Sequence, residues 1–176
     1  MAQRIIRRAR DPVLFAVAKE VSSINTGVLR LIDDLVETMR AYQGLGLAAP
    51  QVGILKRVIV AELGSELYEL VNPVIINEEG EIIDIEGCLS YPGVWAEVSR
   101  PEKIEVSAQN RHGESITVKA EGVLARALRH EIDHLNGEVF VDRVIRYIDP
   151  EELEEYGGAD APIRAVIEYS RGEAKV

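Results

Sequence analysis

Five short β-rich segments follow one another between residues 57 and 120, and this run constrains the fold more than any other feature of the sequence. They are 57–63 (RVIVAEL), 68–76 (YELVNPVII), 81–86 (EIIDIE), 103–110 (KIEVSAQN) and 114–120 (ESITVKA). Residues 111–113 (RHG) predict a hairpin turn between the last two segments. Strands that are clustered in sequence and joined by short turns favour antiparallel pairing, so the predicted class is α+β.

Helical periodicity stands on both sides of this run. Residues 25–42 place apolar side chains at i, i+3, i+4 and i+7 spacing, with Asn25 or Thr26 as the N-cap. Residues 122–136 return to the same spacing, and Gly137 is a C-terminal stop. The strands are therefore expected to pack as antiparallel sheets around the second of these helices, which is the central one, while the first is the N-terminal helix.

The chain is predicted to form one catalytic domain over residues 1–176, since its length suits a single sizeable core. Asp149 and Pro150 have the residue types of an N-cap and a first helical position. A C-terminal helix or tail is accordingly expected from about residue 149, and it is acidic.

Composition and charge exclude several classes of function. The net charge of −10 argues against direct nucleic-acid binding, because phosphate contacts need clusters of Lys and Arg. No apolar run approaches the ~20 residues that span a bilayer. The single cysteine cannot form an internal disulfide, which favours a reducing compartment and a cytoplasmic location. The basic first ten residues and the acidic last segment are interpreted as solvated ends, with a partner site as the minor alternative.

The helix of residues 122–136 contains the stretch HEIDH. His130 and His134 are four residues apart and lie on one helix face, so both imidazoles can reach one metal ion. Glu131 lies beside them and can handle the proton of a water molecule. The alternative is a helix with two surface histidines, but the apolar residues around the motif predict burial. Buried histidines need partners, and a metal ion supplies them.

A catalytic site of this kind has three protein ligands and one open position, so a third ligand is needed. Position 140, where one protease pattern requires a histidine, is Phe140. The acids of residues 151–155 are candidates, although they have the pattern of a solvated face. Cys88 is the remaining soft ligand. The alternative is that Cys88 is a small buried hydrophobic residue. Gly87 favours the ligand reading because it permits a close backbone approach at the end of a strand.

Residues 44–51 (GLGLAAPQ) follow the first helix. Two glycines and two alanines keep bulk away and let the backbone approach a ligand, and the amide of Gln51 can donate to an oxyanion. The alternative is a flexible loop after a helix. A phosphate-binding loop is rejected, since the spacing and the preceding strand are wrong.

The stretches GLGLAAPQ, EGCLS (residues 86–90) and HEIDH, in this order, closely resemble the motifs of the peptide deformylase family, which have the form GxGxAAPQ, EGCLS and HExDH. The resemblance extends from the DPVL segment at residues 11–14 to residues 140–143 and shows no departure from the motifs. It implies that Cys88, His130 and His134 hold one divalent metal ion. Fe²⁺ is the expected ion, with Zn²⁺, Ni²⁺ and Co²⁺ as alternatives; ligand chemistry alone favours zinc.

The resemblance also implies the reaction and the role of each residue. A metal-bound water would attack the N-formyl group of formyl-methionyl chains, with Glu131 as general base and then as acid, and formate would be released. Gln51 and the backbone N–H of Leu89 would stabilise the oxyanion, and the backbone of Gly46 would contact the substrate. The substrates would be nascent or newly released polypeptides, and a transient contact with the ribosome is left open.

An apolar recess for the methionine side chain is expected from Leu45, Leu89 and Ala127, although these positions also suit an ordinary core. Trp95, the only tryptophan, is hypothesised to lie at the rim of the site, with plain strand packing as the alternative. Two other functions remain open at this point. One is a non-catalytic relative that binds only metal or nascent chains, and the other is an HExxH peptidase.

Overall fold

The computed structural model describes residues 1–158. Within these residues it contains three α-helices, α1 (Thr26–Ala41), α2 (Gly122–Leu135) and α3 (Pro150–Leu153). The strands of the same part are β1 (Gly46–Ala48), β2 (Val58–Leu63), β3 (Glu66–Glu79), β4 (Ile82–Cys88), β5 (Tyr91–Arg100), β6 (Lys103–Gln109), β7 (Ser115–Glu121) and β8 (Val144–Tyr147). The five predicted β-rich segments correspond to β2, β3, β4, β6 and β7.

A five-stranded sheet in the order β1-β2-β3-β6-β7 forms the body of the protein, and its neighbouring strands pair antiparallel. Strand β2 is buried on both faces. Val58 and Val60 pack with the apolar face of α1, whereas Ile59 and Ala61 pack with α2. The continuous apolar run in β2 is explained by this double burial, because a strand covered on both faces need not alternate.

Helix α1 covers one face of this sheet with the apolar stripe that the sequence predicted. Its buried stripe includes Leu31, Ile32 and Leu35. The side chain of Asn25 accepts a hydrogen bond from the backbone N–H of Val28 at 3.1 Å, which settles the choice of N-cap. The helix is therefore held by a satisfied first turn and by apolar packing.

A second sheet, in the order β4-β5-β8, lies on the other side of α2. Arg126 of α2 donates hydrogen bonds to the carbonyls of Val98 in β5 and Ile82 in β4, so the helix is clamped between the two sheets. The predicted class, α+β with antiparallel sheets around a central helix, is confirmed. Three strands were absent from the predicted β-rich segments, namely β1, β5 and β8. Strand β1 lies in the segment for which a loop was the alternative, and a strand in the region of β5 was considered only in the hypothesis for Trp95.

The C-terminal part of the described chain is less helical than expected. Helix α3 is a single turn that begins at Pro150, and the side chain of its N-cap Asp149 makes no capping bond. A 3-10 turn, Glu154–Tyr156, follows it. The remainder of the predicted C-terminal helix or tail lies outside the described residues.

Candidate active site

The three predicted metal ligands come together where β4 ends against α2. Cys88 is the last residue of β4, and His130 and His134 lie one turn apart on α2. The Nε2 atom of His134 is 3.2 Å from the Nε2 atom of His130 and 3.4 Å from the Sγ atom of Cys88. All three ligand atoms lie within 4.8 Å of one another, and all three side chains are buried. Residues distant in sequence thus share one small volume.

These separations fit a tetrahedral metal site. At a tetrahedral angle, metal–nitrogen bonds of about 2.1 Å and metal–sulfur bonds of about 2.3 Å place two nitrogen ligands about 3.4 Å apart and a nitrogen and a sulfur about 3.6 Å apart. The observed distances of 3.2 Å and 3.4 Å are close to these edges. Three ligands leave one position for a water or a substrate oxygen. The residues present therefore fit a divalent cation of the zinc or iron type.

The alternative third ligands are placed elsewhere. Glu151, Glu154 and Glu155 are exposed, and Glu152 pairs with Arg146 at 2.8 Å. Phe140 is fully buried, and its ring centroid lies 6.0 Å from that of His130. Phe140 thus supports the imidazole by packing.

The local electrostatics favour a cation at this point. Burial alone would lower the pKa of His130, but the charges of Cys88 and Glu86 outweigh it and raise the pKa well above its ordinary value. Burial and the neighbouring His130 lower the pKa of His134 well below its ordinary value, so His134 is neutral and has a lone pair to offer. The charges of Cys88 and Glu86 thus favour positive charge at His130, while His134 offers a neutral nitrogen.

Glu86 fixes the orientation of His130. Its Oε1 atom lies 2.5 Å from the Nδ1 atom of His130, so Nδ1 carries the hydrogen and Nε2 faces the ligand group. Burial would raise the pKa of Glu86, but the hydrogen bonds from His130 and Arg100 outweigh burial and hold the pKa well below its ordinary value. Glu86 is therefore an ionised acceptor.

Glu131 lies beside the ligands with one oxygen free. Its side chain is buried, and Oε2 has no hydrogen-bond partner within the described residues. Burial raises the pKa of Glu131 to about 7. A Cβ atom at Gly46 would lie 2.7 Å from Oε1 of Glu131, so only glycine leaves room for the carboxylate here. A group that exchanges protons near neutrality is thus held against the backbone of β1.

Gln51 is held with its amide N–H groups towards the ligands. Its Oε1 atom accepts a hydrogen bond from the backbone N–H of Ala48 at 2.9 Å, which fixes the orientation of the amide. Its Nε2 atom is 3.5 Å from the Sγ atom of Cys88 and 3.3 Å from the Oγ atom of Ser90. The amide can therefore donate to a negative oxygen beside the thiol.

A cleft of about 430 Å³, including its open mouth, adjoins this group. Its apolar lining includes the three residues predicted for a side-chain recess, Leu45, Leu89 and Ala127, together with Val123. Its other lining residues are Gly46, Gln51, Glu86, Gly87, Cys88, Arg126, His130 and Glu131. The structure thus brings the predicted residues to one cleft. His134 lies behind them, at 1% exposure.

Trp95 lies inside the protein rather than at the rim. It is buried with Ile85, Ile148 and Leu153. A Cβ atom at Gly87 would lie 2.6 Å from the indole ring, so Gly87 is required by the close approach of Trp95 across the β4-β5 pair. Strand packing, the alternative considered for Trp95, describes what is observed.

A cluster of buried charges that was not predicted from the sequence lies behind the ligands. Glu86 bonds Arg100 and Arg126, and Arg100 also bonds Asp133 at 2.5 Å. The sequence pattern of β5 could have indicated this cluster, because Ala96, Val98 and Arg100 are buried at alternate positions. Period-two spacing would have placed Arg100 on the core face, where a charge needs a buried partner.

A buried Cys-His-His group with an adjacent acid, open to a cleft in an α+β fold, defines a metal-dependent hydrolase. The model of the family described as polypeptide deformylase matches residues 3–149. The chain belongs to this family.

Similar proteins support the assignment. A peptide deformylase from Acetivibrio thermocellus is 56% identical over 154 residues, which are 88% of this chain and 91% of that protein. The crystal structure of peptide deformylase from Thermotoga maritima has a TM-score of 0.80 and 39% identity, and the match covers 82% of this chain and 99% of that one. A Met-Ala-Ser-bound peptide deformylase from Acinetobacter baumannii has a TM-score of 0.79 and 31% identity, with 81% and 99% covered.

Among the described residues, no helix is long and apolar enough to cross a membrane.

Proposed function

We propose that this protein removes the formyl group from the N-terminal formyl-methionine of newly made polypeptides and releases formate. The observation that carries the proposal is the cleft in which Cys88, His130, Glu131 and Gln51 meet beside an apolar recess. The family assignment supports the reaction class. Residues 1–176 are proposed to act as one catalytic domain.

Cys88, His130 and His134 are the proposed ligands of one divalent ion. Such an ion acts as a Lewis acid that polarises a carbonyl and lowers the pKa of a coordinated water. Fe²⁺ is the proposed ion, with Zn²⁺, Ni²⁺ and Co²⁺ as alternatives. The distances between the ligand atoms fit any of these, so the choice of iron rests on the family.

Glu131 is the proposed proton carrier. Its free Oε2 atom and its pKa of about 7 suit a group that takes a proton from the attacking water and returns it to the leaving amine. The water oxygen bonds to the formyl carbon, the C–N bond breaks, and the products are formate and a free amino terminus. The net reaction consumes one water and no other reactant.

The amide of Gln51 and the backbone N–H of Leu89 are proposed to donate to the oxygen that becomes negative during the attack. Gln51 is suited to this because the backbone of Ala48 already holds its amide in place. Leu89 lies in the two-residue link between β4 and β5 and lines the cleft. Gly46 is proposed to contact the substrate through its backbone.

The methionine side chain is proposed to fill the recess of Leu45, Leu89 and Ala127. An apolar recess discriminates by about 1–3 kcal/mol per methylene, so the preference for methionine over similar side chains should be modest. The formyl group is the smallest acyl group. Larger acyl groups are proposed to be excluded by the walls that Gly46, Ala48 and Ala49 form around the reactive carbon.

The proposed setting is the cytoplasm, on nascent or newly released chains, and direct nucleic-acid binding is not expected. The net charge of −10 argues against nucleic-acid binding, and the single cysteine favours the reducing cytoplasm. A transient ribosome contact stays an open prediction.

The direct test is formate release from formyl-Met-Ala by protein purified without oxygen, with metal per chain measured on the same sample. Acetyl-Met-Ala and a peptide with an internal Met-Ala bond serve as controls. We expect formate from the first substrate and little turnover of either control. Cleavage of the internal bond without formate release would instead identify a peptidase.

The proposed ion has its own test. An iron-loaded enzyme with a thiolate ligand should lose activity in air, through oxidation of the metal or of Cys88. Exchange for Ni²⁺ or Co²⁺ should protect it. An iron form that keeps full activity through hours in air contradicts the assignment of iron.

A further inference from the structure

Arg100 bridges two buried carboxylates directly behind the ligand group. The residue ends strand β5 and is 2% exposed. Its Nη2 and Nε atoms donate to Oε1 and Oε2 of Glu86 at 2.5 and 3.1 Å, and its Nη1 atom donates to Oδ2 of Asp133 at 2.5 Å. One planar guanidinium thus fixes the plane of Glu86 through two bonds and reaches α2 through a third.

Both carboxylates lie next to a metal ligand. The Oε1 atom of Glu86 that accepts from Arg100 is also the atom 2.5 Å from Nδ1 of His130. Asp133 immediately precedes His134 on α2. A carboxylate held by one donor can rotate about its last bond, whereas a carboxylate held by the fork of an arginine cannot. The direction in which His130 points is accordingly set by Arg100 through Glu86.

We propose that Arg100 is a positioning residue of the metal centre, which locks the Glu86 carboxylate against Nδ1 of His130 and ties β5 to α2 through Asp133. The inference rests on the metal site of the proposed function. It assigns Arg100 no contact with the substrate. Its loss should therefore loosen the ion rather than weaken peptide binding.

Arg126 provides a matched control. It is also buried, at 3% exposure, and it donates to Glu86 at 2.8 Å. However, its bond goes to Oε2, and its other bonds go to the carbonyls of Val98 and Ile82. Replacing Arg126 removes a buried ion pair of Glu86 without freeing the oxygen that faces His130. Arg126 also lines the cleft, so its loss should affect substrate binding.

The experiment compares cobalt-loaded holoenzymes of the wild type, Arg100→Lys and Arg126→Lys. Lysine keeps the charge but lacks the fork, so it cannot hold both Glu86 oxygens and Asp133 together. We expect Arg100→Lys to lose Co²⁺ to excess chelator about 10–100 times faster than the wild type, as is typical when the support of a ligand is removed. Its visible Co²⁺ absorption bands should shift, and its KM should not change.

Arg126→Lys should lose Co²⁺ within about threefold of the wild-type rate, because both oxygens of Glu86 keep their bonds from Arg100. It should raise KM instead, because Arg126 lines the cleft. The double variant Arg100→Lys/Glu86→Gln gives a second readout. If Arg100 acts through Glu86, the double variant loses Co²⁺ no faster than Glu86→Gln alone. The proposal would be overturned if the two substitutions increased the rate of Co²⁺ loss independently, so that the double variant lost Co²⁺ faster than Glu86→Gln alone. A wild-type rate of Co²⁺ loss and a wild-type spectrum in Arg100→Lys would also overturn it.

If Arg100→Lys does not accumulate as folded protein, Asp133→Asn carries the test, since it weakens the other end of the same bridge. Faster cobalt loss than in the wild type supports the proposal, and an unchanged rate overturns it. Failure of the proposed function has a different signature. A wild-type enzyme that holds Co²⁺ and releases no formate would refute the deformylase reaction while leaving the comparison of Arg100 with Arg126 intact.

Discussion

Helices α1 and α2 have the same apolar periodicity and opposite uses. Both pack on the five-stranded sheet, on opposite faces of β2. Helix α1 buries an almost wholly apolar stripe, and its buried polar residues are Asp34 and Thr38. Helix α2 buries its apolar face and also five polar residues, which are Arg126, His130, Glu131, Asp133 and His134. The two helices therefore differ in what they do with burial rather than in how they form.

The two buried polar residues of α1, Asp34 and Thr38, are satisfied inside the fold. Thr38 donates to the carbonyl of Asp34 and accepts from the backbone of Arg4. The Asp34 carboxylate accepts from the backbone of Ala2 and the side chain of Arg4, so the N-terminal segment is tied to the helix. Such groups hold structure together.

On α2 three buried polar atoms stay without a hydrogen-bond partner within residues 1–158. They are Nε of Arg126, Oε2 of Glu131 and Nδ1 of His134. A buried polar atom that forms no hydrogen bond costs about 1–3 kcal/mol, and a fold tolerates that loss where chemistry needs the atom. Helix α1 also has one such atom, Oε2 of the half-buried Glu37, so an unsatisfied buried atom does not by itself mark a functional helix. The comparison teaches that α2 is distinguished by the residues concerned, since two of its three unpartnered atoms belong to Glu131 and His134 of the candidate site.

The largest expected effect is on turnover and comes from α2. Glu131→Ala should lower the rate of formate release by at least about 10²–10⁴-fold, because it removes the proposed proton carrier. The three ligands are untouched, so metal per chain should stay at the wild-type level. The measurements are formate release and metal content on the same sample.

Cys88→Ala is the counterpart of this variant. Two histidines are too few for a firm site, so Cys88→Ala should lose the metal and the stability that metal binding adds to the folded state. The two variants should thus fail in different ways. A metal-free Glu131→Ala protein, or a metal-replete one that is still fast, would show that Glu131 has another role.

The next effect is on stability and comes from α1. Leu35 is fully buried in the cluster between α1 and the sheet. Leu35→Ala should lower the free energy of unfolding by about 2–5 kcal/mol through lost burial and a residual cavity. Formate release per metal-loaded molecule should change by less than about twofold, since α1 provides no proposed ligand or proton carrier. Denaturant unfolding and steady-state kinetics on the same preparation measure both quantities.

A fall of tenfold or more in turnover for folded, metal-loaded Leu35→Ala would contradict the division between the two helices. It would mean that packing against α1 sets the geometry of the ligands on the other face of the sheet.

A third effect lies where β1 meets α2. In Gly46→Ala the new methyl group would meet the Glu131 carboxylate at 2.7 Å, and the acid must move. A displacement of about 1 Å near the reacting atoms can cost roughly 10²-fold in rate, so a loss of that order is expected with metal content unchanged. The check is a double variant. In a Glu131→Ala background, Gly46→Ala should have no further effect on turnover, and additive losses would show that Gly46 acts independently of the acid.

Much of the fold could be predicted from the sequence. Periodicity gave both helices, because apolar residues at helical spacing report the face that packs on a sheet. It also gave the strands β2, β3, β4, β6 and β7. Strand β5 was missed because Pro92 and Gly93 are typical turn residues, whereas the turn is formed by Leu89 and Ser90. Strands β1 and β8 have three and four residues, too few for a period to be visible.

The candidate site was predicted to a similar extent. The proposed ligands and the proposed acid, which the structure brings together, were predicted from residue chemistry and motif spacing, which are local properties. The roles of Glu86, Arg100 and Gly46 could not follow in the same way, because each depends on a contact between elements far apart in sequence. The bond between Arg100 and Asp133 joins residues 33 positions apart. Trp95 shows the same limit, since only the register of β4 with β5 places it on Gly87.

The smallest expected effect is at the start of α1. The side chain of Asn25 accepts a hydrogen bond from the backbone N–H of Val28, one of the donors that the first turn of a helix leaves without an intrahelical partner. Asn25→Ala should lower the free energy of unfolding by about 1 kcal/mol. For a chain of this length that corresponds to a fall in Tm of roughly 2–4 °C. Asn25→Asp keeps an acceptor and should recover most of the loss, which separates capping from any other effect of the substitution. If α1 only supports the sheet, both variants should release formate at the wild-type rate per metal-loaded molecule. A turnover that follows the Tm through this pair would show that α1 takes part in the catalytic geometry after all.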